Sequence, residues 1–379
     1  MQPSVSRAIR RAYLIPGLVL ALLSCEKKDI PSTTTTGPTS TTAPSSTTVV
    51  STTPVSSTPI STTPIAITTA TYSDGSSSPF LLLGNLTKAT TNPENSTDFL
   101  LLKEQYSVSY NKARGHANWV AWHLQKSDLG TAKRQDDFRP DASLPTGWYQ
   151  VKPTDYASVD GFDRGHLCPS GDRTDTEINN SATFLMTNMI PQAPSLNRGF
   201  WAELEANCRE LVLQGNELYI YSGAYGTSRT GSNGPKSILA SGKVTVPARI
   251  WKVIIVLPQG DNDLARINAQ TTVIAVDAPN VESTGSKTWD DFLVAPYSIE
   301  SGSGSTFFST LSSSLRSALR VTTYKPTQTT SPVTTPSPTS DTPCGTYKSK
   351  QLYKGPQGGC YYINSNGNKT YVDRSYCSC

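Results

Sequence analysis

Asp163-Arg164-Gly165-His166, followed by Asn197, Glu205 and Arg209, is the stretch on which the reading of this chain turns. Gly165 permits close backbone approach beside His166, and the guanidinium of Arg164 can grip a phosphate through two parallel hydrogen bonds. The other two histidines have plainer contexts: His123 sits in an alternating strand pattern, and His116 follows Arg114-Gly115 in a turn. From Asn197 onward the pattern predicts a helix. Asn197 is placed as its N-cap, Leu204, Cys208, Leu211 and Val212 form an apolar face, and Gly215 stands where a C′ glycine would. Asn197, Trp201, Glu205 and Arg209 recur every four residues and form one stripe, whose first member lies at the positive end of the helix dipole. An amide oxygen is an acceptable hard ligand for Mg²⁺, an ion that keeps most of its waters and takes few protein oxygens. Taken alone, Asn197 could be only a cap and Glu205–Arg209 only a surface ion pair. Beside the Asp-Arg-Gly-His run, that reading loses.

Outward from this block the chain divides by composition. Arg7, Arg10 and Arg11 precede an apolar run from Tyr13 to Leu23, the form of an export signal over residues 1–24 and too short to span a bilayer well. Leu22-Leu23-Ser24-Cys25 resembles a bacterial lipobox, which makes Cys25 the expected lipidation site and the protein an exported, membrane-anchored lipoprotein, with plain secretory cleavage as the alternative. Residues 25–79 are rich in Ser, Thr and Pro and cannot bury enough apolar surface to offset their ordering entropy, so they read as a tether. Residues 80–324 carry periodic apolar sequence, 325–343 form a second Thr/Pro linker, and 344–379 form a small module rich in Gly, Tyr and Cys. Strands are expected at Trp119–Leu124, Thr183–Ile190, Glu217–Tyr221, Val244–Val246, Ile250–Leu257 and Thr271–Val276. Strands and helices mix without βαβ regularity, which predicts an α+β fold with a largely antiparallel sheet. The net charge of +4 is a weak pointer to a polyanion, so local clusters of Arg and Lys matter more.

Three blocks taken together carry a resemblance. They are Asp163-Arg164-Gly165-His166-Leu167-Cys168-Pro169-Ser170, Thr183-Phe184-Leu185-Met186-Thr187-Asn188-Met189-Ile190-Pro191-Gln192, and Leu196-Asn197-Arg198-Gly199-Phe200-Trp201-Ala202-Glu203-Leu204-Glu205. In this order and spacing the chain resembles the DNA/RNA non-specific endonuclease family, the ββα-metal group. The similarity runs from Leu82-Leu83-Gly84-Asn85 to Phe307-Phe308. The resemblance implies a ββα-metal nuclease fold that cleaves DNA and RNA with Mg²⁺ (or Mn²⁺). By position, His166 matches the general base and Asn197 the direct metal ligand. Glu205 matches a carboxylate that holds metal waters. Arg164 and Arg209 match phosphate-binding arginines, Asn188 an asparagine of the site, and Arg134 a further phosphate-binding arginine. Asp163 reads as support for the turn. The alternative carried alongside is an inactive nuclease-fold lipoprotein that binds nucleic acid or another surface polymer.

Besides Cys25 there are six cysteines, and their clustering predicts one pair in the catalytic region and two at the C-terminus. A Cys168–Cys208 disulfide beside the site and buried free thiols are both open. Cys377-Ser378-Cys379 is too tight for usual zinc spacing, so disulfides are expected in the last segment, which reads as short strands joined by Gly/Asn turns and whose partner the sequence does not name.

Overall fold

The computed structural model describes residues 70–71, 77–156, 160–325, 341–355, 359–363, 369–372, 376–377 and 379, all within one compact unit, Thr63–Cys379. The expected export signal, Cys25 and most of both Ser/Thr/Pro segments lie outside the described residues. Among the described residues no helix is long and apolar enough to cross a membrane.

A six-stranded, wholly antiparallel sheet organises the chain. Its strands are β1 (Phe99–Leu102), β2 (Ser107–Asn111), β3 (His116–Leu124), β6 (Asn216–Tyr225), β7 (Arg249–Pro258) and β8 (Thr272–Pro279). They lie in the order β8-β7-β6-β3-β2-β1. The period-two alternation of β3 explains why the sheet is buried on both sides. Val120, Trp122 and Leu124 point to one face, where they join Phe200, Trp201, Leu204 and Cys208. Trp119 and Ala121 point to the other, joining Tyr221, Trp251 and the Phe80–Leu83 and Phe307–Phe308 segments. The helices Pro296–Ser303 and Ser313–Val321 follow β8; Ile299 and Leu319 bury into this second face.

The first face carries the expected ββα unit. Strand β4 (Asp163–His166) pairs antiparallel with β5 (Met189–Gln192), His166 opposite Met189 and Asp163 opposite Gln192. After β5 the chain enters a helical run with a short helix α1 (Pro194–Leu196), where a proline fits the first turn because its missing N–H has no helical partner. A wide π-type turn over Asn197–Trp201 breaks at Gly199 (φ −98°, ψ −122°), and helix α2 continues over Ala202–Leu213. Gly215 closes it at φ +93°, as a C′ glycine does.

Three expectations need correction. The strand placed at Thr183–Ile190 is a turn and a 3-10 segment (Met186–Asn188), with only Met189 and Ile190 in strand β5. Asn197 is not an N-cap: its backbone is already helical (φ −58°, ψ −46°), because the run starts three residues earlier. Cys168 and Cys208 are free and buried in the core, where the thiols pack as small hydrophobes. The C-terminal cysteines do pair, Cys344 with Cys379 and Cys360 with Cys377. They staple a four-stranded antiparallel sheet of β9 (Thr342–Tyr347), β10 (Lys350–Lys354), β11 (Cys360–Ile363) and β12 (Lys369–Val372).

Candidate active site

One cavity of about 350 Å³ is lined by Arg134, Arg164, His166, Asn197, Glu205 and Arg209, together with Ser170, Gly171, Thr174 and Asn180 among others. Six of the seven site residues expected from sequence thus meet in one place, although they span β4, the segment before it, the π-type turn at Asn197 and α2.

His166 ends β4. Its neighbour Gly165 is packed so closely that a Cβ there would come within 1.8 Å of Gln192 Oε1, so this strand pairing needs glycine. The imidazole is held between aromatic edges, with ring centroids 4.9 Å from Phe184 and 5.7 Å from Phe138, and its Nε2 is enclosed with no hydrogen-bond partner. Burial, then the charges of Arg134 and Arg164, push its pKa down to about 3, so the ring is neutral at neutral pH.

Asn197 is oriented by a carboxylate. Its Nδ2 donates to Asp163 Oδ2 at 2.9 Å, which turns Oδ1 away from Asp163 and leaves it as the end that can meet a cation. Asp163 also receives a two-pronged contact from Arg198, Nε at 2.8 Å and Nη2 at 2.5 Å. It therefore does more than support a turn.

Glu205 and Arg209 answer other partners rather than each other, so the surface ion pair set aside in the sequence is absent among the described residues. Lys252 Nζ lies 3.5 Å from Glu205 Oε1, while Arg209 Nη1 donates to Asp172 Oδ1 at 2.9 Å. Asp172 also accepts from Trp122 Nε1 at 3.0 Å. Burial raises the Glu205 pKa, and Lys252 and then Arg209 oppose the rise. Lys252 is 1% exposed, and its ammonium sits 4.8 Å from the Trp201 ring centroid and 5.4 Å from that of Trp122. Arg164 lies over the Phe138 ring at 4.2 Å. Arg134 donates to Asp136 (2.7 Å) and Ser170 (2.8 Å) and covers the Phe184 ring at 4.8 Å.

Asn188 stands apart. It is fully buried outside the cavity lining, and its amide donates to the carbonyls of Cys168 and Thr183 while accepting from Cys168 N–H, each at 2.8–2.9 Å. It pins the backbone just after His166. Lys252, Asp172 and Phe138 escaped the sequence reading. Lys252 in an apolar strand was the available signal, since a lysine facing the core needs a paired anion.

A hydrated divalent cation fits the donor set at the cavity. Asn197 offers a neutral oxygen whose amide nitrogen is already spent, and Glu205 offers a carboxylate nearby in the same lining. A separate group, His123, Glu217 and Asp263, has ligand atoms within 4.8 Å of one another, but Arg266 pairs with both carboxylates.

The model of the DNA/RNA non-specific endonuclease family matches residues 84–314. A protein named Nuclease from Nostoc sp. is 46% identical over 244 residues, 64% of this chain and 85% of that one. Nuclease C1 of Cunninghamella echinulata var. echinulata is 34% identical over 227 residues, covering 58% and 86%. The solved EndoG/EndoGI complex contains a chain that superposes with a TM-score of 0.51 at 23% identity, over 62% of this chain and 91% of that one, a likeness of fold. With the match spanning the whole ββα unit and every residue of the cavity, this chain belongs to the DNA/RNA non-specific endonuclease family.

Proposed function

We propose that the protein is an exported, metal-dependent endonuclease that hydrolyses phosphodiester bonds of DNA and RNA to 5′-phosphate products. His166 is its general base, and Asn197 holds a hydrated Mg²⁺ (or Mn²⁺). The observation that carries this reading is the single cavity in which a neutral, enclosed histidine, an oriented amide oxygen, a carboxylate and three arginines converge. The proteins named Nuclease among its relatives support it.

The side chains divide the work. Arg164, Arg134 and Arg209 bind and orient the scissile phosphate, and their charge opposes the charge that builds on it. Asn197 would hold the cation through Oδ1 and Glu205 through its waters; when bound, the cation supplies positive charge to the phosphate and the leaving oxygen. His166, neutral at neutral pH, accepts a proton from the attacking water. A phosphate seated between Arg134 and Arg164 offsets two of the charges that depress His166, so the base gains strength when substrate is in place. The 3′ oxygen leaves and the phosphate remains on the 5′ side. Contacts of this kind address the backbone and not the bases, which suits indifference to sequence and sugar. Export through residues 1–24, with Cys25 as a lipid anchor to a membrane, places the enzyme outside the cytoplasm.

The test incubates the protein with supercoiled plasmid and with RNA, with Mg²⁺ and with EDTA, beside His166→Ala. Metal- and His166-dependent loss of both polymers is expected. A folded protein that cleaves neither, with Mn²⁺ also supplied, overturns the reading in favour of a nucleic-acid-binding lipoprotein.

A further inference from the structure

The C-terminal module rests on the catalytic helix. Tyr347 and Lys348 face Glu203 of α2, with Lys348 Nζ 3.5 Å from Glu203 Oε1, and Glu203 is only 2% exposed. Between module and helix lies a cavity of about 400 Å³. Ala206, Glu210 and Leu213, one stripe of α2, line it from one side, and Cys360 and Val372 of the module from the other. Gly171, Thr174 and Arg209 line this cavity and the catalytic cavity alike. The Arg209 guanidinium lies against Gly171, where a Cβ would come within 2.9 Å of Nη1. Arg209 is therefore the partition between the two spaces.

From this geometry we infer that the cavity under the module is a subsite for a nucleotide flanking the scissile phosphate, and that the module is its outer wall. The inference rests on the nuclease reading above. A volume near 400 Å³ accommodates a nucleotide-sized group. Leu213, Ala206 and Val372 offer apolar surface for a base, and the guanidinium of Arg209 offers a flat cation for a base or its phosphate. Because the partition is shared, a strand held by Arg209 at the catalytic cavity continues directly into this one. Among the described residues Glu210 is the one acidic side chain in the lining, and it sets a limit on affinity for a polyanion.

The experiment measures KM and kcat of the full chain on single-stranded oligonucleotides of increasing length and on bis(p-nitrophenyl) phosphate, a diester too small to reach the second cavity. Glu210→Lys reverses the sign of that carboxylate's charge on the cavity wall. It should lower the KM of longer oligonucleotides about four-fold at low salt, the effect of two charge units about 10 Å from a phosphate in water. Glu210→Trp fills the cavity, and Lys348→Glu sets a carboxylate against Glu203 and loosens the module. Both should raise that KM and remove the gain that added length brings in the parent protein. Hydrolysis of the small diester should keep its parent rate in all three. If the KM values of the longer substrates do not move while the small diester is cleaved normally, the subsite is refuted and the nuclease reading stands. If the parent protein cleaves nothing, the nuclease reading falls and takes the subsite with it.

Discussion

Replacing Lys252 by Met removes a cation from one of the most enclosed positions at the site while keeping its volume. Its ammonium stands 3.5 Å from Glu205 Oε1, a separation worth about 5 kcal/mol of attraction at an effective dielectric near 20. Desolvation of both groups cancels part of this in the intact protein, but removing Lys252 leaves Glu205 charged and largely shielded from water, its side chain 15% exposed. Breaking such a pair costs about 3–5 kcal/mol. For a domain of this size a loss of about 3 kcal/mol lowers Tm by roughly 6–12 °C. Two further signatures separate this cause from lost packing. Burial already raises the Glu205 pKa, and without Lys252 it rises further, so the carboxylate's penalty is present above that pKa and is relieved as pH falls through it. The Tm deficit of Lys252→Met should therefore shrink on going from neutral to mildly acidic pH. Mg²⁺ or Mn²⁺ should also raise the Tm of the variant more than that of the parent, since a cation held at the proposed Asn197 site would restore positive charge beside Glu205. Thermal melts at several pH values, with metal and with EDTA, measure all three. An unchanged Tm, or a deficit indifferent to both pH and metal, refutes the assignment of Lys252 as the counter-charge of Glu205.

Other outcomes follow from single contacts. His116 is buried and its pKa is lowered by burial to about 4. The unfolded chain then takes up a proton that the folded one refuses between about pH 6.5 and 4, so this group erodes stability by about 3 kcal/mol across that window; His116→Asn should flatten the acid limb of a denaturation profile. Asn188→Ala, which frees the Cys168 backbone, should reduce kcat while also lowering Tm, whereas His166→Ala should abolish turnover with substrate binding retained. Arg164→Ala should cost about 100-fold or more in kcat/KM, the scale for loss of a transition-state donor, and Arg134→Ala, whose side chain is 51% exposed, much less; equal losses would contradict the ordering.

The parts legible in the sequence were those fixed by local chemistry. The alternation of β3 and the apolar run of β7 announced the sheet, Gly215 ended α2 where it stood, and the spacing of Asn197, Glu205 and Arg209 put them on one lining. The parts that stayed hidden depend on which distant groups meet. Thr183–Ile190 has strand composition, yet Asn188 uses its side chain to satisfy the backbone of Cys168 and Thr183, and the chain turns there. Asn197 has the composition of an N-cap, but Pro194 begins the helix earlier and Asp163, far away in sequence, claims the amide. Neither Lys252 nor Asp172 carries a motif, because each is defined only by the charge it answers.

That pattern of answered charges also distinguishes the three arginines of the cavity. Arg209 is bound to Asp172 and Arg134 to Asp136, so each arrives at the substrate partly neutralised by its own carboxylate. Arg164 forms no ion pair among the described residues and rests instead on the face of Phe138, which fixes the guanidinium in place while leaving its charge almost whole. On the proposed mechanism a phosphate entering the cavity meets one undiscounted cation two residues before His166 in the chain, and two positioned ones from more distant segments. The carboxylates on Arg134 and Arg209 serve geometry at the expense of strength, because a guanidinium held in advance need not be ordered when substrate binds. Arg164, pre-ordered by an aromatic ring, avoids that trade. The same economy explains why the Asp-Arg-Gly-His run is so dense: Asp163 orients the amide oxygen, Arg164 supplies the free charge, Gly165 lets β4 close on Gln192, and His166 places the proposed base in the same cavity.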